Sequence, residues 1–447
     1  MSDAVPRPTS TSGARQPGPG VADGPGRRTG SVAPHRPVTP AAPDPRLAVA
    51  RLVAVVVAVV VAGVVTHTAA VLIVVAALVA MIMLHELGHL LTAKWGHMLV
   101  TEYFLGFGPR LWSVRRGETE YGIKAIPAGG YVKIVGMTSA EDVDPADEAR
   151  TYRQAPFRNR LLVAVAGSAM HGVMALVLLW GLAVFVGVPR TDAVAVTGYS
   201  PVTHSADPAR AAGIEPGDIV VQVGATVVRS PQDLQRVVAH SAGRALPVVV
   251  ERHGQRRTLV VTPQSDPAVT GANGRIGVVI ANPVETTNPA VGVVRAGQML
   301  GRVVTATFAG IGQTFSASGI SNYFHDLTNA HAAAQAANGS HPRVSSIYGA
   351  ARIAVQGAHA GASTLITILV LIIVSVGILN LFPMLPLDGG HVLIAVYERV
   401  RSRRGRMYHA DVNKLAPIAY GFVALLGFMV VSSLYLDITH PIQTHFQ

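Results

Sequence analysis

The stretch MLHELGHLL, Met83 to Leu91, closes an apolar run that begins near residue 69. His85 and His89 stand four apart, so a helix brings both imidazoles to one face, a turn apart, close enough to share one ion. Glu86 follows the first of them, where its carboxylate reaches a water held on such an ion. Two ligands and a general base at this spacing form the H-E-x-x-H pattern of zinc hydrolases. On a soluble helix the pattern also arises as an ordinary polar face. Here the flanks are apolar, and a charged group inside a membrane span costs roughly 2.5–3.5 kcal/mol on insertion scales, so it persists where it pairs or binds something.

A catalytic zinc takes three protein ligands and a water. The chain has no cysteine, which leaves His, Asp and Glu as donors and excludes disulfides and a thiol nucleophile. The best third candidate is Asp388 in ILNLFPMLPLDGGHVL, residues 378–393. It ends an apolar run starting near Thr364, and Pro383, Pro386, Gly389 and Gly390 break the helix there. Broken helices at membrane depth are tolerated where they line a cavity. A helix cap at the interface is the alternative reading of Asp388; its expected depth, matching that of His85, favours the ligand. His391 is a rival ligand beyond the turn, and His67, His97 and His171 read as structural or interfacial. With the metal in place, Glu86 is the general base for amide hydrolysis. Asn380 contacts substrate backbone or the oxyanion, or is simply a helix-breaking amide.

The whole chain supports a membrane setting. It has 447 residues, 50% of them hydrophobic and 14% charged, against about 25% charged in soluble proteins. The net charge of +11 rests almost entirely on arginine, since Lys94, Lys124, Lys133 and Lys414 are the only lysines. Beside apolar spans this is topology signal and anionic-lipid contact rather than a sign of nucleic acid. Stretches of about 20 apolar residues, enough to cross a bilayer, lie near 47–66, 69–94, 160–188, 364–387 and 415–436. The first two, parted by VTHTAA around His67, predict a hairpin. The arginines predict that the tail, the stretch after the second span and RVRSRRGR (residues 399–406) are cytoplasmic.

The expected organisation is therefore mainly α, a polytopic membrane protein of about four or five spans with membrane-associated β-hairpins and an inserted extracytoplasmic α+β domain. Residues 1–46, rich in Pro, Gly, Ser and Arg, read as a disordered cytoplasmic tail. Residues 47–188 form the first membrane region, which includes EYFLGFGPRLWSVRRGETEYGIKAIPAGGYVKIVGM from Glu102 onward. That segment reads as hairpins broken by Gly and Pro that dip against the membrane. Residues 190–265 read as a small β-rich module, and 266–363 as an extracytoplasmic linker. In the linker an amphipathic helix covers 290–316 and a flexible loop 317–345. The second membrane region spans 364–436, and 437–447 is a C-terminal tail.

HELGH, the hairpin segment after it, the module and NLFPMLPLDGG, in that order, resemble the site-2 proteases, zinc intramembrane metalloproteases, and most nearly their bacterial PDZ-containing group. The resemblance covers about residues 69–436, and the paired motifs make it highly specific. It implies Zn(2+) on His85, His89 and Asp388, catalytic Glu86, Asn380 as a substrate contact, and AIPAGGYVKI, with Gly129 and Gly130, as a hairpin engaging substrate. It implies a PDZ-like domain at 190–265, able to bind a peptide C-terminus or to exclude bulky ectodomains. It also implies single-span membrane proteins as substrates, such as anti-sigma factors already trimmed by a site-1 cut in regulated intramembrane proteolysis. Two features depart from the family: the added first span with its tail, and AGSAMHG at 166–172, where Ser168 and His171 replace a Pro and an Asn of the family's Gly-Pro-x-x-Asn pattern. A membrane adaptor with a structural metal is disfavoured by the intact Glu86. A divalent-ion transporter is disfavoured because no inverted repeat of broken spans is apparent.

Overall fold

The computed structural model describes residues 61–66, 68–137, 141–190, 192–200, 207–265, 274–402 and 412–442, with a few further positions between 50 and 58 and at 408 and 410. The tail at 1–46, His67 and the second half of the basic run, residues 403–406, lie outside these residues. Four described helices are long and apolar enough to cross a membrane: α1 (Ala69–Trp95), α2 (Phe157–Gly181, extended by a π turn to Val186), α8 (Ala362–Asn380) and α10 (Ala416–Thr439). The stretch expected at 47–66 is described only in part. Residues 61–65 are helical, Thr66 turns, and the Thr68 N–H donates to the Gly63 carbonyl at 2.8 Å, so the chain breaks where VTHTAA predicts.

Up to the HELGH turn, α1 is apolar all round and has no solvent face to satisfy, as a spanning helix should be. Lipid gives no hydrophobic drive between spans, so they associate through close backbone approach at small residues. Gly88 of α1 lies against α2: an added Cβ would come within 2.6 Å of the Ala166 carbonyl oxygen. Gly377 of α8 does the same against His171, at 2.7 Å from its Cβ. Met81, Met174, Leu179, Leu182, Val370, Ile373 and Val374 fill the space between these helices.

After α1 the chain forms β1 (Val100–Arg116) and β2 (Thr119–Ile134). Both are bent, so two strands build one antiparallel sheet of four strand segments. The first half of β1 pairs on one side with 130–134 (Phe104 with Tyr131) and on the other with 120–123 (Phe104 with Gly122). The second half of β1 pairs with the first half of β2 (Trp112 with Ile123). The bends need glycine: Gly106 has φ +86°, and a Cβ there would meet the Ile126 carbonyl at 2.6 Å. The sheet is held under the end of α1 by a cluster of Leu90, Ala93, Met98, Val100, Ile134 and Tyr152. Phe107, Leu111 and Ile126 project from it exposed, the apolar surface expected of a segment dipping into a membrane face.

A second sheet follows α2. Strands β3 (Val194–Tyr199), β4 (Ile219–Val223), β5 (Leu246–Arg252), β6 (Gln255–Val261) and β7 (Val278–Ala281) lie in the order β7-β3-β4-β5-β6, all antiparallel. The sheet takes in β7 from beyond residue 265. The short α3 (Pro231–Ala239) covers it, capped by Ser230 and Asp233 in a reciprocal capping box. Val194, Ile214, Val220, Leu234, Val248 and Val250 form its core.

The segment between module and third described span is more helical than the sequence suggests. The amphipathic helix is present as α4 (Pro289–Thr314). Residues 317–345, expected as a flexible loop, instead carry α5 (Ala317–Thr328) and α6 (Ala330–Ala337), each capped by a side chain, Ser316 and Asn329. They are tied to α10: the Tyr323 hydroxyl lies 2.5 Å from Ser432 Oγ. Arg343, which follows them, donates to the buried Asp437 at 2.7 Å. Polar composition hid this, because the helices gain their stability from packing rather than propensity. α7 (Ile347–Ala360) leads into α8, and α9 (Asp388–Arg401) connects toward α10. α9 is pinned to α2 by the buried Arg160–Glu398 pair.

One ion pair holds the module's turn. Arg252 donates Nε to Asp218 Oδ1 at 2.6 Å and Nη2 to Oδ2 at 2.8 Å, and the Glu215 N–H adds a third donor at 2.9 Å. Burial alone would raise the Asp218 carboxyl, but Arg252 and the Glu215 amide outweigh it and hold the group below the usual carboxylate range. A depressed native pKa contributes stability that is complete above the unfolded value near 4 and is lost as pH falls through the native value. The unfolding midpoint of the module, followed by circular dichroism, should therefore fall steeply below about pH 4. Asp218→Asn leaves Arg252 with Glu215 and the Gly213 carbonyl as partners, so it should cost about 1–3 kcal/mol at neutral pH, and it should flatten that acid limb.

Candidate active site

The site forms where α1, α2 and the broken segment after α8 meet. α8 stops at Asn380, and residues 381–387 turn sharply before α9 begins at Asp388. The turn explains LDGG: a Cβ at Gly390 would press within 2.7 Å of the Leu385 nitrogen. Asp388 is thereby swung back toward α1.

Its Oδ2 lies 3.4 Å from His85 Nε2 and 3.4 Å from His89 Nε2, and the two Nε2 atoms are 3.3 Å apart. These three atoms form a nearly equilateral triangle, and they are the metal-ligand-type group found among the described residues. Zinc bonds of about 2.0–2.1 Å in a tetrahedron require donor separations of about 3.3–3.4 Å. The triangle matches that edge. Both histidines are buried, and Asp388 Oδ2 is buried with no hydrogen-bond partner among the described residues. A buried carboxylate oxygen without a partner is costly unless a cation satisfies it. The donor set therefore fits a bound zinc ion.

The rings are set for it. His89 Nδ1–H donates to the Val163 carbonyl of α2 at 2.7 Å, which leaves Nε2 as the bare lone pair. His85 Nδ1 faces His171 Nε2 at 3.1 Å. His171, read from sequence as structural or interfacial, thus touches a candidate ligand. His391 does not join the group; its ring sits edge-on to Tyr152, centroids 6.3 Å apart. His97 is exposed at a left-handed turn, φ +57°, just past α1.

Glu86 lies between the His89 imidazole, whose charge it feels, and the Val132 main chain of β2, its hydrogen-bond partner. Tyr103 of β1 donates to the Met83 carbonyl at 2.7 Å, tying the sheet to α1 less than a turn before His85. Burial, with the Glu86 charge adding to it, pushes the Tyr103 hydroxyl up to about 12, so it remains a donor at neutral pH. Gly129 and Gly130 lie at the same junction: a Cβ on Gly130 would come 3.1 Å from Ile82 and from the Met83 sulfur. Asn380 is half-buried at the end of α8. Tyr103 and His171 were not singled out for the site from sequence. A tyrosine in a β-run carries no spacing signal, whereas a histidine inside an apolar span does.

Gly167 of α2 forms the wall behind both imidazoles, and a methyl group there would overlap the His85 and His89 rings. Gly167→Ala should lower the zinc retained by the purified protein by at least about tenfold, read by elemental analysis.

Residues 73–427 match the model of peptidase family M50. The zinc metalloprotease Rip1 of Mycobacterium bovis is 34% identical over 397 residues, covering 81% of this chain and 95% of that protein. Rip1 of Mycolicibacterium smegmatis is 32% identical over 399 residues, with the same coverage. A putative zinc metalloprotease of Clostridium perfringens, CPE1693, is 28% identical over 366 residues, covering 81% of this chain and 96% of that protein. With four apolar helices of spanning length among its described residues, the chain belongs to peptidase family M50, the site-2 protease family that its motifs resemble, and is a multi-pass membrane metallopeptidase.

Proposed function

We propose that this chain cleaves peptide bonds within the membrane segments of single-span proteins, with His85, His89 and Asp388 holding zinc and Glu86 as general base. The observation that carries the reading is the triangle of donors, closed by a carboxylate oxygen with no other partner. Bound zinc supplies Lewis acidity and a water of lowered pKa. Glu86 takes a proton from the attacking water and returns it to the departing amide nitrogen, so the C–N bond breaks to a carboxylate and an amine. The Tyr103 hydrogen bond holds the sheet against the helix turn that carries Glu86.

A peptide bond inside a helix has its carbonyl occupied, so the substrate must unwind, and its freed backbone needs partners where water is scarce. The strand at 130–134, beside α1, offers an edge for this by strand addition. Gly129 and Gly130 let that edge approach the site, and Asn380 supplies an amide from the opposite side. The module fits a PDZ-like reading. A groove of about 410 Å³ runs between α3 and the edge strand β7, lined by Leu234, Val238, Ile276 and Ile280. Such a groove suits an extended peptide ending in a free carboxylate, as a prior site-1 cut would leave on an anti-sigma factor or similar substrate. In this reading the module, with the linker at 266–363, is extracytoplasmic. The tail at 1–46 and the segment at 399–406 are cytoplasmic, following the arginines. Lipid contacts the exposed apolar faces of the spans.

Glu86→Gln should retain zinc and lower cleavage of a co-expressed single-span reporter by about 10²–10⁴. The membrane proteome of Glu86→Gln cells should accumulate trimmed single-span proteins. Cleavage at the wild-type rate would dispose of Glu86 as the base.

A further inference from the structure

A third buried imidazole, beyond the two candidate histidine ligands, lies within the bundle. His171 of α2 is 2% exposed. Its Nε2 stands 3.1 Å from His85 Nδ1, with the ring centroids 5.1 Å apart and the planes at 63°. The two edges of the His85 ring thus face different partners. Nε2 faces His89 and Asp388, and Nδ1 faces His171.

A neutral imidazole that presents a lone pair at Nε2 carries its proton at Nδ1. That proton needs an acceptor, and between apolar helices water does not provide one. For His89 the acceptor is a main-chain carbonyl, Val163. For His85 two groups are at hand, the Gly167 main chain and, at 3.1 Å from Nδ1, the side-chain atom His171 Nε2.

We propose that His171 is a positioning residue for the metal centre, accepting the His85 Nδ1 proton at its own Nε2 and so fixing the tautomer and ring plane that turn His85 Nε2 toward the ion. The inference rests on the ligand assignment made above. His171 is not itself a ligand, because its Nε2 lies against the edge of the His85 ring away from the donor triangle. The ring of His171 then carries its proton on Nδ1, beside the Ile373 main chain of α8 and without a hydrogen-bond partner among the described residues. Packing locks the arrangement. Gly377 of α8 leaves only enough room for the His171 side chain, since a Cβ there would come within 2.7 Å of His171 Cβ. The orientation of one ligand on α1 is thereby set by α2 and α8 together. A main-chain carbonyl moves only with its helix, whereas this acceptor is a side chain and can be exchanged.

The test uses the full chain in detergent micelles. Zinc affinity is measured by competition with a chromogenic chelator, and the cobalt(II) absorption band reports ligand geometry without reference to proteolysis. His171→Leu should weaken zinc binding about 10–100-fold and shift the cobalt band. His171→Gln, whose side-chain carbonyl reaches the position of the Nε2 atom, should restore wild-type affinity and the wild-type band. If His171→Leu yields no folded protein, His171→Asn, whose amide reaches the Nδ1 position but stops a bond short of Nε2, takes its place and should show the same loss. Wild-type affinity in the Leu or Asn variant overturns the proposal. An equal loss in the Gln variant also overturns it, since that marks packing rather than a hydrogen bond. A wild-type chain that takes up no zinc defeats the ligand assignment itself, and this inference with it.

Discussion

A carboxylate oxygen held against two imidazole nitrogens, between apolar helices and without a proton donor, is the constraint around which this molecule is organised. Burying that oxygen unpaired costs several kcal/mol in a medium of low dielectric. A cation held by these three donors would meet that cost in place of a protein donor, and the elements around the oxygen leave space for one. The break after α8 swings Asp388 back from the end of its helix. Gly167 clears the wall of α2 so that two rings fit side by side. The Val163 carbonyl and His171 hold the far edges of those rings, leaving the near edges bare.

Much of this was legible because it is written in local patterns. H-E-x-x-H states its geometry outright, since a four-residue spacing on a helix allows one outcome. NLFPMLPLDGG announces a broken helix through its prolines and glycines, and a carboxylate in such a break needs a reason to be there. The antiparallel module was visible in alternating apolar residues and turn glycines. The spans were visible in their length.

The rest required contacts between distant residues. No spacing joins Tyr103 to Met83 or His171 to His85; these pairs are set by how α1, α2 and the bent sheet meet. The doubling of β1 and β2 into four strand segments is likewise hidden, because each strand reads as one run, and only in the fold is β1 seen to turn at Gly106. Residues 317–345 looked loose because Ala, His, Asn and Gly dominate them. Their order comes from Tyr323 and Arg343 reaching α10, which a window of sequence does not contain. His171 was noticed as a departure from a family pattern, and its role became readable only when the distance to His85 was on hand.

The glycine contacts between α1, α2 and α8 carry a mechanical consequence. With Gly88 set against the Ala166 main chain and Gly377 against the His171 side chain, α1, α2 and α8 have little slack in which to slide, so this trio behaves as a stiff frame. The bent sheet beside it is joined to α1 through the Tyr103 hydroxyl and a small apolar cluster, and is the piece freer to shift. Stiffness at the chemistry and compliance at the rim are thus divided between different parts of one chain.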